Sequence, residues 1–403
     1  MAQGISDRGP LSDIRVIELG VLLAGPFCGQ LLGDFGADVI KVEQPGSGDP
    51  MRQVGPAKYE GEALWWNICA RNKKSITLNL RLPEGQEIVR KLVREADILL
   101  ENFRPGTLEG WGLGYEDLKK INPALVMVRV SGFGQNGPYS SRPGYAAIGE
   151  AYAGMRYVVG DPEKLPSRTG TSIGDTLAGT YAAMGALMAI HNRRQTGLGQ
   201  VVDASIYESV LATMESLIPD FQLGGYIRER TGSFLPGVAP SNIYPTKDGK
   251  MLIIAGNGDG IFERLTKAMG QPDLAKDPRF ADHQSRGSNQ VELDAIVGRW
   301  SGGLDLDDLV DILEKQSIPY GTLYRAPEML EDPHFIARES IVRLPMKDGQ
   351  EIAMQNAFPK LSETPGKLRH VGPVLGEHNE EVYGGILGLS TEDLKKLAED
   401  GVI

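Results

Sequence analysis

RVIELGVLLAGPFCGQLLGDFGADVIKVE, running from Arg15 to Glu43, carries a strand, a helix and a second strand in one short stretch. Arg15-Val-Ile-Glu-Leu19 is rich in β-branched residues, and Ala37-Asp-Val-Ile-Lys-Val-Glu43 repeats that character. Between them Phe27, Leu31, Leu32 and Phe35 recur at helical spacing, with Pro26 suited to a first helical turn. A helix between two such strands predicts parallel pairing, because parallel neighbours need a long crossover. The pattern continues. Ser75–Leu80 alternates as a strand, Pro83-Glu-Gly-Gln-Glu87 opens a helix with Ile88, Leu92 and Val93 inward, and strands are expected at Asp97–Leu100 and Ala124–Val130. The first part of the chain therefore reads as an α/β fold with a Rossmann-like large domain.

A helix is expected from about Asp175. Its inner positions are small: Ala178, Gly179, Ala182, Ala183, Gly185, Ala186 and Ala189. Glycine inside a helix costs about 1 kcal/mol relative to alanine, so two of them predict a neighbour pressed against the backbone. A second helix is expected over Ala204–Leu217, followed by a loop-rich stretch from Gly224 to Pro240. Beyond it lies an α+β pattern, with a hairpin around Lys247-Asp-Gly-Lys250 and helices near Ile261–Met269 and Leu306–Glu314. The chain closes with a strand-like Ile352–Phe358 and a helix at Thr391–Glu399 led in by Ser390. Two lobes divided near residue 225 follow from this order.

Among 403 residues, 42 basic and 53 acidic side chains leave a net charge of −11. A chain-wide cationic surface for nucleic acid or anionic lipid is not expected, so any anionic ligand must be met locally. Cys28 and Cys69 sit among apolar neighbours, and neither a disulfide framework nor a metal site is expected from two cysteines without ligand spacing. Met1 to Ser12 lacks an apolar signal core, and Thr176–Ile190 falls short of the roughly 20 apolar residues of a membrane span. A cytoplasmic protein without membrane attachment is the expectation. The 51 glycines and 25 prolines make about one residue in five, well above the roughly 12 % of an average chain, yet without period or low-complexity tract. Turns and close backbone approaches must absorb that excess.

Leu23-Ala-Gly-Pro-Phe-Cys-Gly29 places glycine at a strand-to-helix turn but does not make the dinucleotide pattern, and Glu43 is only a partial match to its acidic partner. Arg71, Lys73 and Lys74 cluster before one strand and Lys41 near the end of another. Strand ends at one sheet edge form a ligand crevice, where such cations suit phosphates; a solvated charge run is the alternative. Asn102, Phe103 and Arg104 follow a strand and could face the same crevice. Gly174-Asp175 falls at a helix start, where aspartate serves as a cap or, facing a cleft, as a carboxylate nucleophile held by the helix field. The five histidines share no metal-ligand spacing, and no GxSxG, P-loop or HExxH motif occurs.

In this order the pieces resemble a family III CoA-transferase (the CaiB/BaiF family, which includes formyl-CoA transferase). The resemblance rests on Arg15–Leu19, Leu23-Ala-Gly-Pro26, Gly36-Ala-Asp-Val-Ile-Lys-Val-Glu43, Gly48-Asp-Pro-Met-Arg52, Asn72-Lys-Lys-Ser75, Glu101-Asn-Phe103, Gly174-Asp175 and Thr196–Asp203. In the second half it adds Tyr244–Gly249, Glu331-Asp-Pro-His334 and Leu375-Gly-Glu-His378. The resemblance implies an interlocked homodimer, or a pair with a closely related subunit, of chains holding a large domain (1–224), a smaller α+β domain (225–325) and a C-terminal segment (326–403) that returns to the large one. It also implies Asp175 as the catalytic carboxylate and a coenzyme A thioester as substrate, with no permanently bound cofactor. Leu22, Leu23 and Ala24 would line the CoA tail, Leu78, Arg81, Asn102 and Phe103 the nucleotide end, and Tyr145 would stand beside the substrate; Lys41, Lys73 and Arg104 join the CoA-binding candidates from their strand-end positions alone.

Two departures stand out. Leu23 replaces a glutamine of formyl-CoA transferase, and that enzyme's glycine-rich flap is not found between Gly224 and Pro245. The pattern looks closer to relatives that use succinyl-CoA and small dicarboxylates such as malate or citramalate. The expected reaction moves CoA from an acyl-CoA to an acid through an aspartyl anhydride and an aspartyl-CoA thioester on Asp175. The rivals are formyl-CoA:oxalate transfer and a CoA-ester racemase, whose histidine is not matched at Arg142-Pro-Gly-Tyr145.

Overall fold

A computed structural model describes residues 9–403. Its main sheet has six strands: β1 (Arg15–Glu18), β2 (Asp38–Glu43), β3 (Lys73–Thr77), β4 (Ile98–Glu101), β5 (Val126–Ser131) and β6 (Val201–Ser205). All neighbours pair in parallel, in the order β3-β2-β1-β4-β5-β6. The order reverses between β1 and β4, and at such a switch point the loops leaving the two strands part to open a crevice. The principal helices of this unit are α1 (Ala24–Asp34), α2 (Pro83–Val93), α3 (Ala146–Tyr152), α4 (Ile173–Thr196) and α5 (Ile206–Leu211).

Strand β6 is a correction, since a helix was expected from Ala204. Only Ala204 and Ser205 are buried in it, so this edge strand lacks the apolar run that marks the others. Helix α1 begins at Ala24, earlier than the Phe27 periodicity implied, because Gly25 and Pro26 are part of its first turn.

Two cores sandwich the sheet. Ile17, Val42, Ile76, Leu99 and Met127 face α2 on one side. On the other, Val16, Val39, Leu100 and Val128 meet α1 and the alanine face of α4. The neighbour that α4's small residues anticipated is α1: a Cβ on Gly179 would stand 2.7 Å from the Ala24 carbonyl oxygen. By length and a mean hydropathy of 1.2, α4 is also long and apolar enough to cross a membrane, a longer helix than Thr176–Ile190 suggested. Its alanines, however, are packed in the core.

The chain divides into two compact units. One holds the described residues up to Met155, Thr169–Leu217 and Ala337–Ile403; the other holds Arg156–Arg168 and Ile218–Ile336. The second unit has an antiparallel three-stranded sheet, in which Ser241–Pro245 and Met251–Ala255 form the hairpin around Asp248-Gly249, with Tyr320–Thr322 on the far edge. Phe262, Leu265, Leu293, Val297, Leu309 and Leu313 pack into its core with Tyr244, Leu252 and Ile254.

The C-terminal residues close over β3. The Tyr383 hydroxyl donates to the Thr77 carbonyl at 2.6 Å, and the Ser75 N–H donates to His378 Nδ1 at 3.2 Å. That acceptor role requires an unprotonated Nδ1, and burial lowers the imidazole's proton affinity. The unfolded chain therefore binds this proton more tightly. The contact's contribution is intact above about pH 6.5 and is lost as pH falls below that value. Protection factors in residues 371–403, taken against the intrinsic exchange rate at each pH, should fall between pH 7 and pH 5.5, and His378→Ala should remove that change.

Candidate active site

The crevice at the switch point is a cavity of about 190 Å³. Its walls come from the loop after β1 (Val21, Leu22, Leu23, Ala24), the loop after β4 (Asn102, Phe103, Arg104, Pro105), the end of β5 (Val130, Ser131, Gly132), the segment Ser140–Tyr145, and Asp175 with Ile206. Residues scattered over the sequence from Leu22 to Asp175 thus meet in one place.

Local chemistry explains each wall. Leu22 adopts φ +63°, a left-handed conformation that costs a non-glycine residue free energy and persists only when held. Asp49 holds it, accepting from the Leu22 N–H at 3.0 Å while also capping Met51 at 2.8 Å. The Gly48-Asp-Pro-Met-Arg52 motif is therefore a brace for the β1 loop. Asn102 ties the two switch-point loops together: its Oδ1 accepts from the Val21 N–H and its Nδ2 donates to the Val21 carbonyl, both at 2.8 Å. Behind it Glu101 accepts from the Phe103 N–H at 2.7 Å and from Arg129 Nε at 2.7 Å. Burial raises the Glu101 carboxyl pKa, with Arg129 opposing. Phe103 is half-buried, edge-on to Trp111 with centroids 5.5 Å apart.

Asp175 lies in the first turn of α4, where the cap is Ser172. Buried Glu150 accepts from the Gly174 N–H at 3.4 Å, and a Cβ on Gly174 would stand 3.2 Å from the Ala146 carbonyl oxygen, so α3 seats this turn closely. Helix α1 also starts at the cavity; its cap, Leu23, offers no side-chain acceptor to the first N–H groups. Two helix N-termini thus point their positive ends at one small space, an arrangement that favours anionic groups.

The structure corrects the lysine expectations. Lys41 and Lys73 are fully buried, neither a phosphate clamp nor a solvated run. Lys41 Nζ lies 2.7 Å from Asp49 and 3.3 Å from Glu18, and Lys73 Nζ lies 2.8 Å from Glu18 and donates to the Pro26 carbonyl at 2.7 Å. Burial depresses Lys41's proton affinity, but Asp49, Glu18 and Glu43 carry it above the ordinary lysine range. For Lys73 burial outweighs Glu18 and the pKa falls. Arg71 is likewise spent, on Asp34 at 2.6 Å. Leu78 is packed in the core at 1 % exposure, whereas Arg81 is exposed beyond the carboxyl end of β3. The small residues are crowded by protein: a Cβ on Gly25 would meet Asn102 at 3.3 Å, and one on Gly29 would overlap a Glu18 oxygen. Burial pushes the Cys69 thiol up to about 12 and Cys28 higher still, which disfavours the thiolate form of both.

Asp49 and Arg142 lie in stretches the sequence reading quoted, Gly48–Arg52 and Arg142–Tyr145, but neither they nor Ser140 was picked out as a site residue. Signals for them were Gly48-Asp49 after β2 and the paired glycines Gly132 and Gly144, whose backbones touch: a Cβ on Gly132 would stand 2.9 Å from Gly144 Cα.

The sequence model of CoA-transferase family III matches residues 11–379. A protein named succinyl-CoA–D-citramalate CoA-transferase, from Chloroflexus aurantiacus, is 58 % identical over 394 residues, covering 98 % of each chain. The beta subunit of succinyl-CoA–L-malate CoA-transferase from the same organism is 43 % identical over 403 residues, covering 99 % of this chain and 100 % of that one. The crystal structure of a CaiB/BaiF family protein from Brucella suis superposes with a TM-score of 0.83 at 35 % identity, covering 94 % of this chain and 100 % of that one.

Proposed function

The chain belongs to CoA-transferase family III, and on that premise we propose that it moves CoA from succinyl-CoA to a small dicarboxylic acid such as citramalate or malate, with Asp175 as the covalent carrier. The observation that carries this reading is the cavity in which Asp175 meets the Leu22–Ala24 and Asn102–Arg104 loops. The relatives of 58 % and 43 % identity, named for citramalate and malate, support the choice of acids.

In the first half-reaction an Asp175 oxygen attacks the thioester carbonyl carbon, the C–S bond breaks, and CoA leaves as thiolate. The product is a mixed anhydride. The thiolate then attacks Cγ of Asp175, expelling the donor acid and leaving an aspartyl-CoA thioester. The acceptor carboxylate attacks that thioester, and the released thiolate takes the acceptor acyl group, restoring the Asp175 carboxylate. Each tetrahedral intermediate carries an oxyanion that the first N–H groups of α1, at Ala24 and Gly25, are suited to meet. The apolar walls at Leu22 and Leu23 keep water from the anhydride. Arg81 and Arg104 extend along the same sheet edge for the nucleotide end, in place of the buried lysines. Tyr145, 70 % exposed at the cavity, closes on the acyl group.

No histidine lines the cavity, so the α-proton abstraction of a racemase has no base of that kind there. We also propose the interlocked homodimer in the cytoplasm. An apolar groove of about 990 Å³, between Phe27 and Leu31 of α1 and Met184 and Leu187 of α4, supports burial against a second chain, to be checked by sedimentation. The covalent reading is tested by incubating the protein with succinyl-CoA and mapping peptides by mass spectrometry. A CoA or succinyl adduct should appear on the peptide containing Asp175; an adduct elsewhere, or none alongside transfer, would overturn it.

A further inference from the structure

Resting on that reading of the cavity, we propose that Arg142, stacked on Tyr139, is the specificity-determining residue that grips the second, non-reacting carboxylate of a dicarboxylate substrate. The cavity holds two arginines, Arg104 and Arg142. Arg104 leaves the β4 loop beside Phe103, whereas Arg142 belongs to the same short segment as Tyr145.

The state of the guanidinium carries the argument. Its Cζ lies 3.5 Å from the centre of the Tyr139 ring. A face-on stack holds the planar group in place without using its in-plane N–H donors. Tyr139 is itself fixed, edge-on to Phe133 at 6.2 Å and to Tyr152 at 6.1 Å. Among the described residues no carboxylate pairs with Arg142, while Arg129 on the adjoining strand is spent on Glu101 and Glu109. Arg142 thus lines the mouth of the nucleophile's cavity with an exposed, unspent guanidinium resting on Tyr139, a ring outside the cavity wall.

Charge explains why such a fork is needed. During transfer one substrate carboxyl becomes acyl, but the other stays anionic in a space that also receives Asp175 and oxyanions. Like charges at this range repel, and a bidentate arginine both cancels and orients the extra one. A volume of about 190 Å³, below the roughly 300 Å³ at which sites for whole drug-sized ligands begin, suits a short acyl group rather than the nucleotide.

The test compares succinyl-CoA with butyryl-CoA, which has the same chain length and no terminal charge. Arg142→Gln should weaken kcat/KM for succinyl-CoA on the order of 10- to 100-fold, mainly through KM, and leave butyryl-CoA unchanged or improved. Arg142→Lys should fall between, and Tyr139→Leu should shift the same ratio less. Dissociation constants of both thioesters measured on Asp175→Ala should show the same preference before the Arg142 change and lose it after. Equal losses for both thioesters, or none, would overturn the proposal. The two readings separate cleanly: without an adduct on wild-type Asp175 the covalent reading fails, whereas an adduct with no change of preference in Arg142→Gln sinks only the arginine's role.

Discussion

Asp175→Ala should retain the wild-type melting temperature within a few degrees and lose transfer between succinyl-CoA and an acceptor acid by roughly 10³-fold or more, the scale seen when a covalent nucleophile is removed. The structural side follows from placement. Asp175 is partly exposed at a cavity wall, its turn is seated by Gly174 against α3, and Ser172 is the cap. The chemical side follows from the oxygen balance. An acceptor labelled with ¹⁸O in its carboxyl groups attacks Cγ and leaves one labelled oxygen in Asp175 when its acyl group departs. Peptide mass spectrometry after turnover should find that label. Full activity in Asp175→Ala, or turnover without label, would end the mechanism.

Glu18→Ala should cost about 3 to 5 kcal/mol, the range for breaking a buried ion pair from one side. Glu18 is completely buried and is the one carboxylate within 4 Å of Lys73 among the described residues, while Lys41 keeps Asp49. Removing it leaves the Lys73 ammonium with only the Pro26 carbonyl, so the lysine must lose its proton or draw in water. The surface pair Lys120–Asp117 is the control, since both partners are about half or more exposed and Lys120→Ala should cost under about 1 kcal/mol. Thermal unfolding of both variants makes the comparison. Because Lys73 also holds the first turn of α1 through Pro26, the KM for the thioester should rise as well. Loss of CoA affinity without loss of stability would instead restore Lys73 as a phosphate ligand.

These lysines show where reading a chain stops. Their sequence positions, Lys41 late in one strand and Lys73 at the start of another, were visible, but solvation depends on what arrives from elsewhere. Glu18 comes from β1 and Asp49 from the turn after β2, and together they convert apparent phosphate ligands into a buried frame. The same holds for Asn102: its place after β4 was legible, its two bonds to Val21 were not. Strand β6 was missed because an edge strand with two buried residues has almost no periodicity to read.

What the amino-acid order determined by itself was local: five parallel strands, the helices between them, the second unit's hairpin, and an aspartate at a helix start. Each of these depends on spacing within a few residues, so it survives without knowledge of partners. Tertiary structure alone decided which of the chain's charges are spent and which face the cavity. Burial and pairing join residues far apart in sequence, as in Glu18 with Lys73, and a shared cavity wall brings together Arg142 and Asp175; no local pattern records those meetings.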